Sequence, residues 1–362
     1  MSDARTSKLA QVLVRYSRKV KRGQTVLVAG PAAAEPLLVE VAREVYRAGG
    51  HPALRMAPDR AAEVMYAEAD AGQIAFVPRW TLSAARQTDH YINILADTNT
   101  QAMAQVDPKK QVAFEKARRK FLNIMLAKNE WTLTLYPTAA YAQDAGMGLE
   151  EFEAFVYAAM RVDRRDPVAA WQQAKAFQAK VLRRLAGADR IRIVAPDTDL
   201  VLSVRGRTWI SSYGSHNMPD GEIFTGPVES SAEGRIRYTY PVCYRGKEVH
   251  DVRLEFEGGK VVKATAAKNE AFLRQMIAMD PGASRLGELG IGANYRITRF
   301  MKNILFDEKI GGTVHLALGK GYPQTKSKAR SALHWDMICD LRAGGRLEAD
   351  GKALQADGKF RL

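Results

Sequence analysis

The chain has 362 residues, of which 46% are hydrophobic and 26% are charged, so it can bury the cores of about two globular domains. Its only two cysteines, Cys243 and Cys339, exclude both a disulfide framework and a zinc site built from cysteine. The formal net charge of +14 raises the question of nucleic-acid binding, but the basic residues form short clusters without interleaved aromatic pairs, which favours a solvated basic surface.

The N-terminal sequence predicts a soluble, cytoplasmic protein. Residues 1–8 lead into an amphipathic stretch rather than into the continuous apolar segment of a secretion signal. No run in the chain reaches the roughly 18 apolar residues that a membrane-spanning helix needs.

The first elements along the chain form one βαβ unit. Residues 25–30 are a short apolar run typical of a strand, residues 35–48 show helical spacing, and residues 51–56 are a second extended run. An α/β domain follows from this order. The turn from Gly30 to Glu35 lacks the three glycines that let a backbone approach a pyrophosphate, so we expect no dinucleotide there.

The α/β pattern continues to a charged linker. Further strands are predicted at residues 91–95 and 131–137, with a helix at 109–126 between them and another helix that begins at residue 149. Residues 161–167 are charged and end in a proline, which is typical of a linker.

The second half of the chain predicts a different architecture. We place the domain boundary near residue 166, with an α/β domain at 1–166 and a metal-binding catalytic domain at 167–362. The second domain is predicted to be a strand-rich α+β domain, because a helix at 168–185 precedes short alternating runs. These runs lie at residues 191–194, 200–204, 235–240, 252–256 and 260–264.

Residues able to bind metal concentrate after residue 210, among glycines. A hydrolytic pair of metal ions needs imidazole and carboxylate ligands, with one carboxylate able to bridge and a position left for water. The residues that supply this set are Glu222, Glu288, His315, His334 and Asp336. Taken singly, Glu222 and Glu288 also fit turns or solvated loops.

The segment His334-Trp335-Asp336 carries the clearest local pattern. In an extended strand, His334 and Asp336 project from one face and can reach one metal ion, while Trp335 points into packing. His315 lies in an alternating run and shares a face with Thr313. A lone histidine in such a run is often a structural residue, so spacing alone leaves both interpretations open.

Three segments are specific enough to suggest a family. They are Asn217-Met218-Pro219-Asp220-Gly221-Glu222-Ile223-Phe224-Thr225, Leu305-Phe306-Asp307-Glu308-Lys309 and His334-Trp335-Asp336. With them, the sequence from Pro196 to Arg342 resembles the thermophilic aminopeptidase family, the group of aminopeptidase T and its staphylococcal relatives. The resemblance is looser in the N-terminal half, at Tyr136-Pro137-Thr138 and at residues 146–152.

The resemblance implies a homodimeric aminopeptidase that removes N-terminal residues from peptides. It also implies that the enzyme holds two divalent metal ions, which would be zinc, cobalt or magnesium. The positions that match the family's ligands are Glu222, Glu288, His315, Tyr322, His334 and Asp336. The segment between His315 and His334 is shorter than in larger members, and Arg330 stands where an asparagine is common. These departures leave the ligand set intact and bear on substrate preference.

This hypothesis assigns catalytic roles to Glu288, Glu222 and Tyr322. Two ions would share a bridging water and lower its pKa. Glu288 is the candidate bridging ligand or general base, and Glu222 is the alternative for either role. Tyr322 would bind metal or donate to the oxyanion, unless it caps the turn at residues 319–321.

Two other functions stay open at this stage. A mononuclear iron enzyme that cleaves aromatic rings could use the two histidines and Asp336 on the same scaffold, although both glutamates argue against it. A non-enzymatic protein could instead bind nucleic acid through the basic surface.

Overall fold

The computed structural model describes residues 3–58, 60–128, 130–244 and 246–362. The chain divides into two compact units, the first made of Met1–Ala170 with Gly214–Pro219 and the second of Trp171–Tyr213 with Asp220–Leu362. The domain assignment made from the sequence, 1–166 and 167–362, stays a prediction.

Helices are concentrated in the first half of the chain. The α-helices are α1 (Ala4–Gln11), α2 (Glu35–Arg47), α3 (Ala61–Glu68), α4 (Ala71–Ala75), α5 (Arg79–Gln87), α6 (Pro108–Ala127), α7 (Ala139–Asp144), α8 (Leu149–Ala159), α9 (Pro167–Leu185), α10 (Glu270–Ile277) and α11 (Ile304–Asp307). A π-helical segment covers Val12–Ser17, and 3₁₀ turns cover Ala32–Ala34 and Pro323–Thr325. Within the described ranges, none of these helices combines the length and the apolar character needed to cross a membrane.

Strands dominate the second half. The strands before residue 170 are β1 (Thr25–Pro31), β2 (His51–Ala57), β3 (His90–Leu95) and β4 (Trp131–Leu135). The strands after it are β5 (Arg190–Ala195), β6 (Thr198–Ser203), β7 (Ile210–Ser212), β8 (Asn217–Met218), β9 (Glu222–Thr225), β10 (Glu233–Arg237), β11 (Val242–Tyr244), β12 (Lys247–Val249), β13 (Arg253–Glu257), β14 (Lys260–Thr265), β15 (Leu286–Gly292), β16 (Thr313–Gly319), β17 (His334–Asp340), β18 (Arg346–Ala349), β19 (Lys352–Ala356) and β20 (Lys359–Phe360).

The first unit is built on a parallel sheet with the strand order β2-β1-β3-β4-β8. The predicted βαβ unit is confirmed, because β1 pairs in parallel with β2 and α2 connects them. Pro36 lies in the first turn of α2, where a missing N–H costs no helical hydrogen bond. Gly49 follows the helix with a φ of 79°, which favours glycine and ends the helix.

The second unit is built from antiparallel sheets. The eight-stranded sheet has the strand order β14-β13-β10-β6-β5-β18-β19-β20, and the five-stranded sheet has the order β17-β16-β15-β9-β7. A two-stranded sheet is formed by β11 and β12. Side chains of both larger sheets, among them Ile193, Leu200, Leu316 and Trp335, join one buried apolar core. The predicted fold class, an α/β region followed by a strand-rich α+β region, is confirmed.

The five-stranded sheet of the second unit, β17-β16-β15-β9-β7, packs one face on the apolar core and carries polar groups on the other. In β16, Val314, Leu316 and Leu318 belong to the apolar core, so the alternate residues Thr313 and His315 lie on the opposite face. This alternation agrees with the pattern expected from the sequence. Every residue of β16 is buried, so polar groups on that opposite face need internal partners.

Candidate metal centre

Acidic and imidazole groups lie on one face of the sheet β17-β16-β15-β9-β7. Ala317 of β16 lies opposite Glu288 of β15 on one side and opposite Asp336 of β17 on the other. Residues that face each other across antiparallel strands share a face of the sheet. His334 lies two residues before Asp336 and therefore projects from the same face. Ala317 is small enough to leave the space between these side chains open.

The remaining two candidates lie opposite glycines of β15. His315 lies opposite Gly290, and Glu222, the first residue of β9, lies opposite Gly292. A Cβ atom at Gly290 would be 2.0 Å from Nε2 of His315, so the imidazole occupies the volume that a side chain would need. Gly290 thus sets the depth at which His315 lies.

The first ligand group consists of Glu222, Glu288 and His315. Nε2 of His315 lies 3.3 Å from Oε2 of Glu222 and 3.5 Å from Oε1 of Glu288. The three residues are 6%, 5% and 1% exposed, respectively. One donor atom from each can be chosen so that all three lie within 4.8 Å of one another.

The second ligand group consists of Glu288, His334 and Asp336. Nε2 of His334 lies 3.3 Å from Oδ2 of Asp336 and 3.7 Å from Oε2 of Glu288. Nδ1 of His334 is 2.7 Å from the carbonyl oxygen of Lys320, which can only accept, so Nδ1 carries the proton and donates it. This bond fixes the ring with Nε2 turned toward the carboxylates, the arrangement typical of a metal-binding histidine.

The donor atoms fit divalent metal ions. Within the described part of the chain, buried atoms without a hydrogen-bond partner include Oε2 of Glu222, Oε2 of Glu288 and both ring nitrogens of His315. Buried polar atoms are normally paired, so this cluster calls for a ligand. Ligands at about 2.1 Å from a tetrahedral ion lie about 3.4 Å apart, which is close to the imidazole–carboxylate distances of 3.3, 3.5 and 3.7 Å in these groups.

The acidic surroundings hold protons on both histidines. Burial by itself lowers the pKa of His315, but the carboxylates of Glu288 and Glu222 outweigh it and raise the pKa to about 9. Burial also opposes protonation of His334, and the Asp336 carboxylate raises the pKa of that imidazole to about 10. In the metal-free protein, the imidazolium charges therefore stand in for the positive charge of a metal.

The three carboxyl groups respond differently to the same site. Burial raises the pKa of Glu222, partly opposed by Lys309, and burial likewise raises the pKa of Glu288. Burial also acts to raise the pKa of Asp336, but the charge of His334 overcomes it and lowers the pKa below its ordinary value. Asp336 is thus the carboxylate most strongly held in the charged form.

Two residues that the sequence interpretation did not place in the site lie beside it. The side chain of Lys309 is entirely buried, pairs with Glu308, and has its nitrogen 3.7 Å from Oε1 of Glu222. Glu308 also forms a group with His315 and Asp336 in which donor atoms lie within 4.8 Å of one another. The signal was a charged run, residues 307–309, flanked by apolar residues that would be expected in a core.

Tyr322 lies at the edge of the second ligand group. Its ring packs edge-on against His334, with centroids 5.2 Å apart, and against Phe224 at 5.7 Å. The residue is 41% exposed. Burial of the hydroxyl is the main cause that raises the pKa of Tyr322, and the negative charges of Glu288 and Asp336 raise it further. The hydroxyl therefore keeps its proton and can donate a hydrogen bond. The structure therefore brings Tyr322 to the same site as the other five candidates.

Comparisons with known proteins agree on one family. A family model described as thermophilic metalloprotease (M29) matches residues 2–360. Aminopeptidase 2 of Geobacillus stearothermophilus is 27% identical over 347 residues, which cover 87% of this chain and 83% of that protein. Aminopeptidase T of Thermus thermophilus is 27% identical over 350 residues, which cover 88% of this chain and 85% of that protein. The solved structure of wild-type AmpT from Thermus thermophilus has the same fold, with a TM-score of 0.86 over 99% of both chains at 22% identity.

Proposed function

The chain belongs to the thermophilic metalloprotease (M29) family, and we propose that it is an aminopeptidase that hydrolyses N-terminal residues from peptides. Relatives that match more than four fifths of its length are named aminopeptidases. The observation that carries the proposal is the position of Glu288, which belongs to both ligand groups. A carboxylate shared by two groups is the arrangement that a pair of ions requires.

The finer proposal is a dinuclear centre in which Glu288 bridges. Its Oε1 faces His315 and its Oε2 faces His334, so each oxygen is directed toward a different imidazole. Glu222 and His315 would complete one site, and His334 and Asp336 the other. Two divalent ions held there, zinc, cobalt or magnesium, would polarise the scissile carbonyl and acidify a water between them.

The protein's own residues would handle charge and protons. Tyr322, protonated at neutral pH, would donate a hydrogen bond to the oxyanion that develops on the scissile carbonyl. With Glu288 as the bridge, Glu222 is the candidate to accept a proton from the attacking water, and the two roles exchange if Glu222 bridges instead. Lys309, which faces Glu222, offsets the negative charge of the buried carboxylates.

The burial of both glutamates weighs against the iron dioxygenase alternative. A mononuclear ferrous site needs two histidines and one carboxylate, which His315, His334 and Asp336 could supply. It would leave Glu222 and Glu288 without a role as ligands, although they are only 6% and 5% exposed and burying a carboxylate is costly. The homodimer and the cytoplasmic location stay predictions.

A metal-reconstitution experiment tests the proposal. Metal-stripped protein is given zinc, cobalt, magnesium or ferrous iron and assayed on a panel of aminoacyl-p-nitroanilides, while bound metal is counted by mass spectrometry. We expect two ions per chain and hydrolysis that depends on them. Both should fall in Glu288→Gln, because the change weakens both sites, and His51→Ala, at an exposed histidine of the first unit, is the control.

The outcomes separate the alternatives. One ion per chain, with activity unaffected by Glu222→Ala, would favour the mononuclear site, and oxygen consumption with iron would identify it as an oxygenase. Metal binding without cleavage of any N-terminal residue would contradict the aminopeptidase proposal.

A further inference from the structure

A cavity of about 390 Å³ lies beside the second ligand group, and His334 and Asp336 form part of its wall. This volume lies within the range of about 300–1,000 Å³ that small-molecule sites occupy. The rest of the wall is mostly apolar and includes Val242, Tyr244, Phe300, Ile304, Met337 and Ile338. We call this cavity the apolar pocket.

Charged groups elsewhere in the wall already have partners. Nζ of Lys302 donates to Oε1 of Glu248 at 2.9 Å. Asp307 is 2% exposed, and its Oδ1 accepts the backbone N–H of Met301 at 2.8 Å. Neither group therefore requires a charged partner from a ligand, and the free charge of the pocket is confined to its metal-binding end.

Aromatic contacts hold the walls in place. The ring of Phe300 stacks on Tyr240 with centroids 4.9 Å apart and an interplanar angle of 7°. The hydroxyl of Tyr240 in turn donates to Oδ2 of Asp340 at 2.9 Å. The rings of Tyr244 and Trp335, which also line the pocket, are 5.2 Å apart. A pocket preformed in this way spends little binding energy on ordering its own side chains.

We infer that the apolar pocket binds the side chain of the peptide's N-terminal residue and selects large uncharged side chains, such as those of leucine, phenylalanine and methionine. The inference rests on the proposed function, which would hold the first peptide bond at the two ligand groups, and the second of these groups adjoins the cavity. The side chain next to that bond then enters the adjoining cavity. Burying apolar surface there is favourable, whereas a charged side chain would lose its hydration without gaining a partner.

Two substitutions in the wall test the inference through substrate ranking. For the metal-loaded protein we expect kcat/KM at least about tenfold higher for leucyl and phenylalanyl substrates than for alanyl, lysyl and glutamyl ones. Phe300→Ala should reduce the first two by a larger factor than it reduces the alanyl substrate. Ile304→Glu should raise the ratio of lysyl to leucyl turnover, because it adds a carboxylate at a wall position that is 49% exposed.

A binding measurement and a matched variant complete the design. Titration calorimetry with free L-leucine and L-lysine should show the same change of preference in Ile304→Glu without relying on turnover. Val262→Glu makes the same chemical change at a β14 residue that is 52% exposed and outside the pocket wall, and it should keep the parent ranking. Melting temperatures of all variants check that the fold is retained.

Each result bears on a different claim. Altered ranking in Ile304→Glu and not in Val262→Glu supports the apolar pocket. An unchanged ranking in both Ile304→Glu and Phe300→Ala, with activity intact, overturns the pocket and leaves the aminopeptidase. If the parent protein cleaves no substrate with any metal, the proposed function fails and the pocket assignment fails with it.

Discussion

The ammonium nitrogen of Lys309 lies 3.7 Å from Oε1 of Glu222, and both side chains are buried. The other carboxylate oxygen of Glu222, Oε2, lies 3.3 Å from His315. Lys309 thus engages one oxygen of Glu222 and leaves the second for the ligand group. Because Glu308 also pairs with this lysine, a single cation counters two carboxylates next to the site.

Removal of this cation should destabilise the metal-free protein. In Lys309→Met, which keeps the length and apolar stem, we expect the free energy of unfolding in chelator to fall by about 3–5 kcal/mol, because Glu222 is left with less positive charge nearby. Saturating metal should restore part of that loss. Urea denaturation with and without metal measures both effects. Lys352→Met, at an exposed lysine of β19, is the control, and equal stability of the two variants would contradict the role of Lys309.

Adding one methyl group at Gly290 should weaken metal binding. A Cβ atom there would lie 2.0 Å from Nε2 and from Cε1 of His315, so the imidazole of Gly290→Ala must move. We expect about 10- to 100-fold lower affinity for at least one ion, as when groups that orient a metal ligand are altered. Equilibrium dialysis with zinc measures it. Gly148→Ala is the control, since φ is −69° and nothing lies within 4 Å of its Cβ position. Unchanged affinity in Gly290→Ala would show that the ring does not need that position.

Local patterns were sufficient to predict the first βαβ unit and one pair of ligand candidates. The run at 25–56 predicts a βαβ unit, and the structure has it as β1, α2 and β2. His334 and Asp336 are two residues apart in a strand, so their common face follows from the alternation of side chains. Both conclusions depend only on residues that are neighbours in the chain.

The proximity of Glu222 and Glu288 in the folded protein could not be predicted from local sequence patterns. It depends on the pairing of β15 with both β9 and β16, strands far apart in sequence, and no local pattern specifies that register. From the residues alone, each glutamate fitted a turn or loop as well as a metal site, and the family resemblance favoured the metal site. Lys309 was missed for a related reason, because a lysine in a charged run is usually exposed, and only the folded structure surrounds this one with carboxylates.

The hydroxyl of Tyr322 should matter for turnover more than for metal binding. Tyr322→Phe keeps the ring that packs on His334 and Phe224 but removes the donor, so we expect kcat to fall by about 10²- to 10³-fold with two ions still bound. Steady-state kinetics and metal analysis on the same sample measure this. Tyr46→Phe, at a residue that is 67% exposed, is the control. Loss of one ion in Tyr322→Phe would instead make the tyrosine a ligand.

Protons and metal ions should compete for the same nitrogens. The pKa of His315 is raised to about 9 and that of His334 to about 10, so in the metal-free protein both imidazoles are protonated at pH 7.5. A metal needs the unprotonated nitrogen, and its binding must release these protons. Affinity should therefore rise as the pH rises toward 9–10 and decline on acidification.

The raised pKa values of the two histidines also determine how the stability of the metal-free protein changes with pH. A histidine whose folded pKa lies above its unfolded value of about 6.5 stabilises the fold fully below that pH. The contribution is lost as the pH rises through about 9 for His315 and about 10 for His334. Burial raises the pKa of Glu222 as well, and because its charged form is disfavoured in the fold, it also lowers stability as the pH rises.

Calorimetry can test whether metal binding releases protons, and denaturation can test whether the metal-free protein loses stability as the pH rises. Zinc titrations at pH 7.5 in buffers of different ionisation enthalpy should report proton release, and His334→Ala should release fewer protons because one protonated ligand is absent. Denaturation in chelator should give a lower free energy of unfolding at pH 9.5 than at pH 7, whereas the metal-loaded protein should lack that decline, since the ions replace the protons. Zinc binding without proton release, or a metal-free protein that gains stability toward pH 9.5, would mean that the imidazoles are neutral before metal arrives and that Lys309 alone balances the carboxylates.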